Sequence, residues 1–242
     1  MLNITVISIH LDILDKEMNK IGKATGFILN HDGTAYLTTC WHVVTCQNHL
    51  DRANKFNQPN PNNYAPYLIK CCLPLISANS ITTSNKYIIG INHELPIYSL
   101  KDGIAVPLWQ ENKCRFESEE KPVGDVVCFK LDIRDKDGNP EKLEPFGISR
   151  DFFYNEPVKL GQKLFVCGYP RGVASSGAFK GIGFAKTVFV AATDASIAAK
   201  DEGKNVSFNL FDGFFIDGTT SRGMSGSPVF NESVLNLVET KV

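Results

Sequence analysis

The sequence lacks a long apolar run and has almost no net charge. Its 242 residues include 25 basic and 26 acidic side chains, for a formal charge of −1 at pH 7. No apolar stretch approaches the roughly 18 residues that would span a bilayer. The first 15 residues have no basic n-region, and Asp12 and Asp15 stand where a secretory leader would be apolar. We therefore expect no membrane association and no export signal in the sequence as written. We also expect no long-range electrostatic attraction to nucleic acid, because the net charge is close to zero.

The sequence also lacks the cysteine spacing of a metal site or a disulfide framework. Its seven cysteines are an odd number, and none forms a C-x-x-C pair. Most lie inside apolar segments, where a reduced cysteine packs as a small apolar side chain. We therefore expect free thiols in a reducing compartment, the cytoplasm.

Helical periodicity is weak, and short segments rich in Val, Ile, Phe and Thr recur between Gly, Asn, Asp and Pro. This rhythm predicts an all-β fold. The sequence NHDG at 30–33 predicts a hairpin turn, because Asp32 and Gly33 are both suited to positive φ. A stretch with some helical character, TDASIAAKDEG at 193–203, predicts a turn or two of helix.

A charged segment at 111–124 separates two strand-rich halves of the chain. No internal repeat and no flexible linker accompany it. The simplest organisation is therefore two packed β-units that meet there, residues 1–116 and residues 117–242.

A serine bracketed by glycines is the first candidate for chemistry. Ser225 lies between Gly223 and Gly226 in TTSRGMSGSPVF. A serine hydroxyl needs a base to remove its proton, and a tight turn lets nearby N–H groups bind the oxyanion formed in acyl transfer. The elbow G-x-S-x-G does not fit, because Ser227 stands where its last glycine is required. A purely structural Gly/Ser turn is the alternative.

A base and a carboxylate precede this serine in the chain. Of the five histidines, His42 stands out in YLTTCWHVV, directly after an apolar segment. Asp102, in LKDGIAVPLW, lies between His42 and Ser225, although an Asp before a Gly is ordinarily a turn residue. The order His42, Asp102, Ser225 favours a base, an orienting carboxylate and a nucleophile over three unrelated structural residues.

Four segments resemble, in the same order, those of trypsin-like peptidases, and the HtrA-like branch most closely. They are TGFILNHDGTAYLTTCWHVV at 25–44, DGIAVPL at 102–108, LGQKLFVCGYPRG at 160–172 and FIDGTTSRGMSGSPVF at 215–230. The resemblance implies two packed antiparallel six-stranded β-barrels with the site in the cleft between them. Residues 1–116 would carry His42 and Asp102, and residues 117–242 would carry Ser225.

The resemblance also implies a role for each residue. Ser225 would attack the scissile carbonyl, and His42 would act as general base and then general acid. Asp102 would orient His42, and the backbone N–H groups of Gly223 and Ser225 would form the oxyanion hole. This mechanism needs no metal and no organic cofactor, so none is expected.

A specificity pocket is implied near the nucleophile. Its base, six residues before Ser225, falls on neutral Thr219, so we expect no strong preference for Lys or Arg at the cleavage site. Thr220, Phe214 and Thr240 are further candidates for the walls of this pocket.

Two departures from the family pattern qualify these expectations. Met224 stands where digestive members have an Asp that pairs with a new N-terminus, which argues against activation by that route. Only 17 residues follow Ser225, so the second barrel is incomplete at its C-terminal end or the sequence is a piece of a longer protein.

The sequence thus predicts a serine endopeptidase acting on protein or peptide substrates. One alternative is an inactive module of the same fold that binds a peptide or partner. Another is the protease part of a larger multidomain effector. The oligomeric state stays open.

Overall fold

The fold is built almost entirely from strands. The computed structural model describes residues 8–46, 66–76, 88–102, 104–110, 113–116, 119–122, 125–134, 137–138, 147–149, 157–170, 183–193, 198–201, 204–207, 214–218 and 221–231. The strands are β1 (Ser8–Leu14), β2 (Lys20–His31), β3 (Thr34–Thr39), β4 (Leu68–Ile76), β5 (Ile88–Pro96), β6 (Tyr98–Lys101), β7 (Ile104–Pro107), β8 (Lys113–Phe116), β9 (Glu119–Pro122), β10 (Val127–Lys130), β11 (Ile148–Ser149), β12 (Lys163–Gly168), β13 (Phe184–Ala192), β14 (Ala198–Asp201), β15 (Lys204–Ser207), β16 (Phe215–Asp217) and β17 (Val229–Asn231). A short helix, α1 (Trp41–Thr45), follows β3. The all-β prediction is confirmed, and no helix among these residues is long and apolar enough to cross a bilayer.

The first sheet has the order β10-β3-β2-β1-β4-β5, and β11 pairs in parallel with β2. The β2–β3 hairpin turns at Asp32 and Gly33, whose φ values are 47° and 71°, as the sequence predicted. Residues 108–110 connect the two ends of the sheet: the Leu108 N–H donates to the Ile97 carbonyl (3.0 Å), and Gln110 pairs with Cys128 of β10. The sheet therefore curls around its own core.

The first core is formed by alternate side chains of these strands, as expected for sheets with one buried face. In β1 the inward residues Ile9, Leu11 and Ile13 are at most 2% exposed. Helix α1 adds Trp41 and Val44 to the same cluster. Burying each such side chain contributes about 1.5–3 kcal/mol of transfer free energy, so the strands and helix beside His42 are firmly held.

The second sheet has the order β16-β13-β12-β17 and is antiparallel throughout. Its buried cluster contains Leu164, Val166, Val188, Val190 and Met224. The turn that carries Ser225 lies between β16 and β17, and Met224 of this turn packs into this second core.

Two sequence predictions need correction. The proposed boundary at 116/117 cuts through the first sheet, because β10 pairs with β3 and β11 pairs with β2. The helical turn predicted at 193–203 is wrong in its C-terminal half, where β14 pairs with β15 as a hairpin. In both cases strand pairing over distance decides the local structure, which a charge pattern or a local propensity does not report.

Candidate active site

Helix α1 presents the candidate base. Its N-cap, Cys40, has extended backbone (φ −79°, ψ 147°), so the chain leaves β3 and turns directly into the helix. Trp41, Val43 and Val44 point into the first core. The side chain of His42 remains 32% exposed, which leaves its ring accessible from the cleft.

Asp125, two residues before the start of β10, is the carboxylate that contacts His42. Nδ1 of His42 lies 2.5 Å from Oδ2 of Asp125, and the His42 backbone N–H donates to Oδ1 at 2.9 Å. The Trp41 N–H donates to the Asp125 carbonyl at 3.2 Å. An ionised carboxylate only accepts, so Nδ1 carries the hydrogen and Nε2 is left as the basic nitrogen.

Asp102 is not the partner of His42, which corrects the sequence prediction. It lies between β6 and β7 with φ 53°, and its side chain is exposed. This is the turn role that an Asp–Gly pair ordinarily has. The sequence held a signal for Asp125 in GDVVCFKL, where the aspartate directly precedes alternating buried and exposed residues.

The turn around Ser225 consists of two consecutive tight turns. The Met224 N–H donates to the Ser221 carbonyl (3.1 Å), and the Ser227 N–H donates to the Met224 carbonyl (3.0 Å). Gly223 and Gly226 have φ values of 95° and 85°, a region that favours glycine. Within the described part of the chain, no backbone carbonyl accepts a hydrogen bond from the N–H of Gly223 or Ser225.

Thr25 of β2 anchors this turn to the first sheet, a role the sequence reasoning missed. Its N–H donates to the Ser225 carbonyl (2.8 Å) and its hydroxyl donates to the Gly223 carbonyl (2.7 Å). The same hydroxyl oxygen accepts from the Tyr169 N–H (3.0 Å). The available signal was a hydroxyl residue opening the TGFIL segment, where the family pattern has serine. Gly226 packs so closely here that a methyl group would overlap the Thr25 carbonyl oxygen.

Cys40 lies between the base and the nucleophile turn. Burial, and secondly the neighbouring Asp125 carboxylate, raise the pKa of its thiol to about 12, while the Gly226 N–H that faces the sulfur opposes this shift. The donor atoms of Cys40, His42 and Asp125 all lie within 4.8 Å of one another. These three residues could hold a metal ion.

Two cavities border Ser225. One, of about 380 Å³, is largely apolar. The other, of about 750 Å³, has two cations and no acidic residue among its described lining residues. The apolar cavity is lined by residues including Phe27, Cys40, Val126, Val166, Ile216 and Val229; the basic cavity is lined by Ile21, Gly22, Lys23, Arg222, Gly223 and Ser225.

Of the four predicted pocket residues, the structure describes Phe214. Thr219, Thr220 and Thr240 lie outside the described residues. Phe214 packs against the second core and does not line the described apolar cavity. Its pocket role stays a prediction.

The chain is similar to known peptidases. The family model described as a trypsin-like peptidase domain matches residues 24–237. The active form of the Rv3671c protease from M. tuberculosis is similar at 15% identity and a TM-score of 0.42, with 94% of this chain and 66% of that chain covered. A scabies mite inactivated protease paralogue is similar at 14% identity and a TM-score of 0.36, with 99% and 97% covered. Among curated proteins, the search returned no match. The chain thus spans about two thirds of the M. tuberculosis protein's length.

Proposed function

Because the chain belongs to the trypsin-like peptidase domain family, we propose that it is a serine endopeptidase that hydrolyses peptide bonds in protein substrates. The observation that carries the proposal is the contact between His42 Nδ1 and Asp125 Oδ2 at 2.5 Å. An imidazole oriented in this way is the base that a serine nucleophile requires. Cys40 and Ser225 line the same cavity, which supports placing that base beside the nucleophile.

The acylation step uses the Ser225 hydroxyl, the paired His42 and Asp125 side chains, and two backbone N–H groups. The Ser225 hydroxyl oxygen attacks the scissile carbonyl carbon while its proton passes to Nε2 of His42. The Asp125 carboxylate stabilises the resulting imidazolium. The N–H groups of Gly223 and Ser225 bind the carbonyl oxygen as it becomes negative. His42 then gives its proton to the amine, which leaves as the C–N bond breaks.

Deacylation repeats the sequence with water. His42 removes a proton from a water molecule, whose oxygen attacks the acyl carbon of the Ser225 ester. The second tetrahedral intermediate collapses with release of the carboxylic acid, and His42 returns the proton to the serine oxygen. Every proton is exchanged among side chains of this chain, substrate and water.

The two cavities beside Ser225 support a substrate preference. The apolar cavity contains Val126, Val166 and Ile216, so it suits an apolar side chain near the scissile bond. The basic cavity contains Lys23 and Arg222, so it suits an acidic side chain of the substrate. The proposed substrate is a protein segment with both features, and strict cleavage after Lys or Arg in a peptide library would contradict this preference.

We place the protein in the cytoplasm. Cys71 and Cys167 are buried thiols packed in the apolar clusters, and the pKa of each thiol is raised by burial to about 12. Such thiols behave as small apolar side chains, which supports a reducing compartment.

Active-site labelling tests the activity. We expect a fluorophosphonate probe to label the folded protein and to stop hydrolysis of a casein substrate. Ser225→Ala should abolish both, because the probe and the substrate react at the same oxygen. Ser221→Ala is the matched control, since Ser221 lines the same cavity and its backbone carbonyl, which the substitution retains, accepts the hydrogen bond of the turn.

Two results would contradict the proposal. One is a folded wild type that stays unlabelled, and the other is a Ser225→Ala variant that still labels. A wild type that binds a peptide without shortening it, even after long incubation, would instead favour the inactive binding module.

A further inference from the structure

We propose that Cys40, His42 and Asp125 form an inhibitory Zn²⁺ site inside the catalytic centre. The three residues supply a sulfur, a nitrogen and an oxygen donor, and these atoms all lie within 4.8 Å of one another. The ion is a reversible inhibitor and takes no part in the hydrolytic mechanism. Binding of the ion does not depend on the proposed peptidase function, whereas the inhibitory effect of the ion rests on that function.

The donor spacing is close to what zinc requires. Zinc bonds of about 2.0–2.3 Å in a tetrahedron separate the donor atoms by about 3.3–3.8 Å. The 2.5 Å contact between His42 Nδ1 and Asp125 Oδ2 is shorter than this spacing, and the 4.8 Å limit is longer. Side-chain rotations must therefore adjust the donor separations to place the three donors around one ion. The mixture of thiolate, imidazole and carboxylate favours zinc over magnesium or calcium, which prefer oxygen ligands. Three protein ligands leave a fourth position for water.

The backbone around the three ligands is already fixed. Cys40 and His42 flank the start of α1, whose other residues are buried in the first core. Asp125 is held by the N–H groups of Trp41 and His42. Because little conformational freedom of the backbone remains to be lost, binding of the ion costs less free energy of ordering than it would at a flexible site.

The ion can reach the site from solvent. The side chains of His42 and Asp125 are 32% and 21% exposed, and Cys40 lines the cavity of about 380 Å³ beside Ser225. The Cys40 sulfur and the Asp125 carboxylate are neighbours. A divalent cation supplies the positive charge that lets both carry negative charge together.

Binding follows a balanced exchange. The sulfur–hydrogen bond of Cys40 breaks, the proton goes to solvent, and a zinc–sulfur bond forms. One ring nitrogen of His42 donates its lone pair to the metal. If Nε2 binds the metal, its lone pair is no longer available to accept a proton. If Nδ1 binds the metal, the ring proton is on Nε2, which then has no lone pair to accept another. In both arrangements His42 can no longer accept the proton of Ser225.

Cobalt substitution and zinc titration test the site directly. Purified wild type is titrated with Co²⁺, and the near-ultraviolet charge-transfer band of a cobalt–thiolate bond is recorded. Competition with Zn²⁺ then gives the zinc affinity. We expect one ion per chain, and we expect Cys40→Ser to remove the band and weaken zinc binding at least about tenfold, since even the loss of an outer-shell partner of a metal site has such an effect.

Cys46→Ser is the matched control, because Cys46 is an exposed thiol at the other end of α1 and should leave the band and the affinity unchanged. His42→Ala keeps every thiol and should also weaken binding at least about tenfold. Circular dichroism confirms that each variant is folded. The proposal is overturned if Cys40→Ser binds zinc with wild-type affinity, or if the wild type shows no cobalt–thiolate band. If Cys40→Ser does not fold, the zinc affinity of His42→Ala decides the question.

Inhibition is measured separately with the casein substrate. Zn²⁺ should stop hydrolysis reversibly, with EDTA restoring it, and the inhibitory concentration should rise at least about tenfold in Cys40→Ser. A cobalt–thiolate band without any Ser225-dependent hydrolysis would uphold the metal site and refute the peptidase. Hydrolysis that is equally zinc-sensitive in wild type and Cys40→Ser would refute the inhibitory site and uphold the peptidase.

Discussion

The two sheets hold their parts of the candidate site in different ways. His42 and Asp125 border β3 and β10, which are neighbours in one antiparallel ladder of the first sheet. Ser225 lies in a turn beside the second sheet, and its carbonyl is bonded by Thr25 of the first. The base and carboxylate are therefore placed by strand pairing around a buried core, whereas the nucleophile is placed by a few hydrogen bonds and by one neighbour, Met224, that packs into the second core. The nucleophile side should be the easier one to displace.

The largest predicted effect concerns the two aspartates. Asp125→Asn should lower kcat by about 10⁴-fold, because an amide at this position can donate to Nδ1 and hold the wrong tautomer. Asp102→Asn should leave kcat unchanged, because Asp102 lies in an exposed turn between β6 and β7. Steady-state hydrolysis of a fluorogenic peptide measures both. A large loss in Asp102→Asn with an active Asp125→Asn would reverse the assignment.

Gly226 tests how closely the two regions must approach. Gly226→Ala should reduce the rate of Ser225 labelling on the order of 100-fold, since a shift of about 1 Å in a reacting group has that effect. The methyl group would overlap Thr25 and Thr39, so the turn must move away from the first sheet. Labelling rates measured on folded protein separate this from unfolding.

Gly138→Ala is the control for the backbone term alone. Gly138 has a similar φ of 83°, yet its added methyl group would meet nothing within 4 Å. Its substitution should cost about 1 kcal/mol or slightly more in stability and leave labelling unchanged. Equal labelling rates in the two variants would argue that close packing at Gly226 does not position Ser225.

A smaller effect is expected from Thr25→Val. The isosteric change removes the hydroxyl that donates to Gly223 and accepts from Tyr169. Leaving these buried groups unsatisfied should cost about 1–3 kcal/mol in the free energy of unfolding. Thr187→Val on the exposed face of β13 should cost much less.

Two probes then show which region Thr25→Val loosens. Both tryptophans, Trp41 and Trp109, pack in the first core, so their fluorescence reports that region. Fluorophosphonate labelling reports the turn at Ser225. We expect labelling to slow at urea concentrations that leave the fluorescence native. Coincident changes would show instead that the two regions loosen together.

The sequence predicted the features that depend on local chemistry. The Asp32–Gly33 turn follows from two residues that tolerate positive φ, and the structure has it. The same rule also predicts a turn role for Asp102, whose φ is 53°. Asp125 could be distinguished only by the alternating pattern that follows it, and its contact with His42 depends on β10 pairing with β3. Such pairing spans about ninety residues of chain and is invisible to local propensity.

The smallest effect is a dependence of stability on pH that links the two regions. Burial lowers the pKa of His10, with Lys20 and Lys23 acting in the same direction and Asp12 opposing them. Its ring packs edge-on against Tyr169, 5.3 Å between centroids, across the contact between the sheets. The unfolded chain binds this proton at higher pH than the folded chain does. Stability is therefore retained above the ordinary value of 6.5 and lost as the pH falls below it.

His10→Gln separates this contribution from that of His93, whose pKa is also lowered by burial, on β5. The free energy of unfolding in urea should fall between about pH 7 and pH 5 in wild type, and each single variant should lessen that fall. Of these two histidines, His10 is the one whose ring packs against Tyr169. His10→Gln alone should therefore also lessen the loss of Ser225 labelling in acid at matched stability. If the free energy of unfolding depends on pH in His10→Gln as it does in wild type, burial of this ring does not couple protonation to folding. The two regions would then respond to acid through other groups.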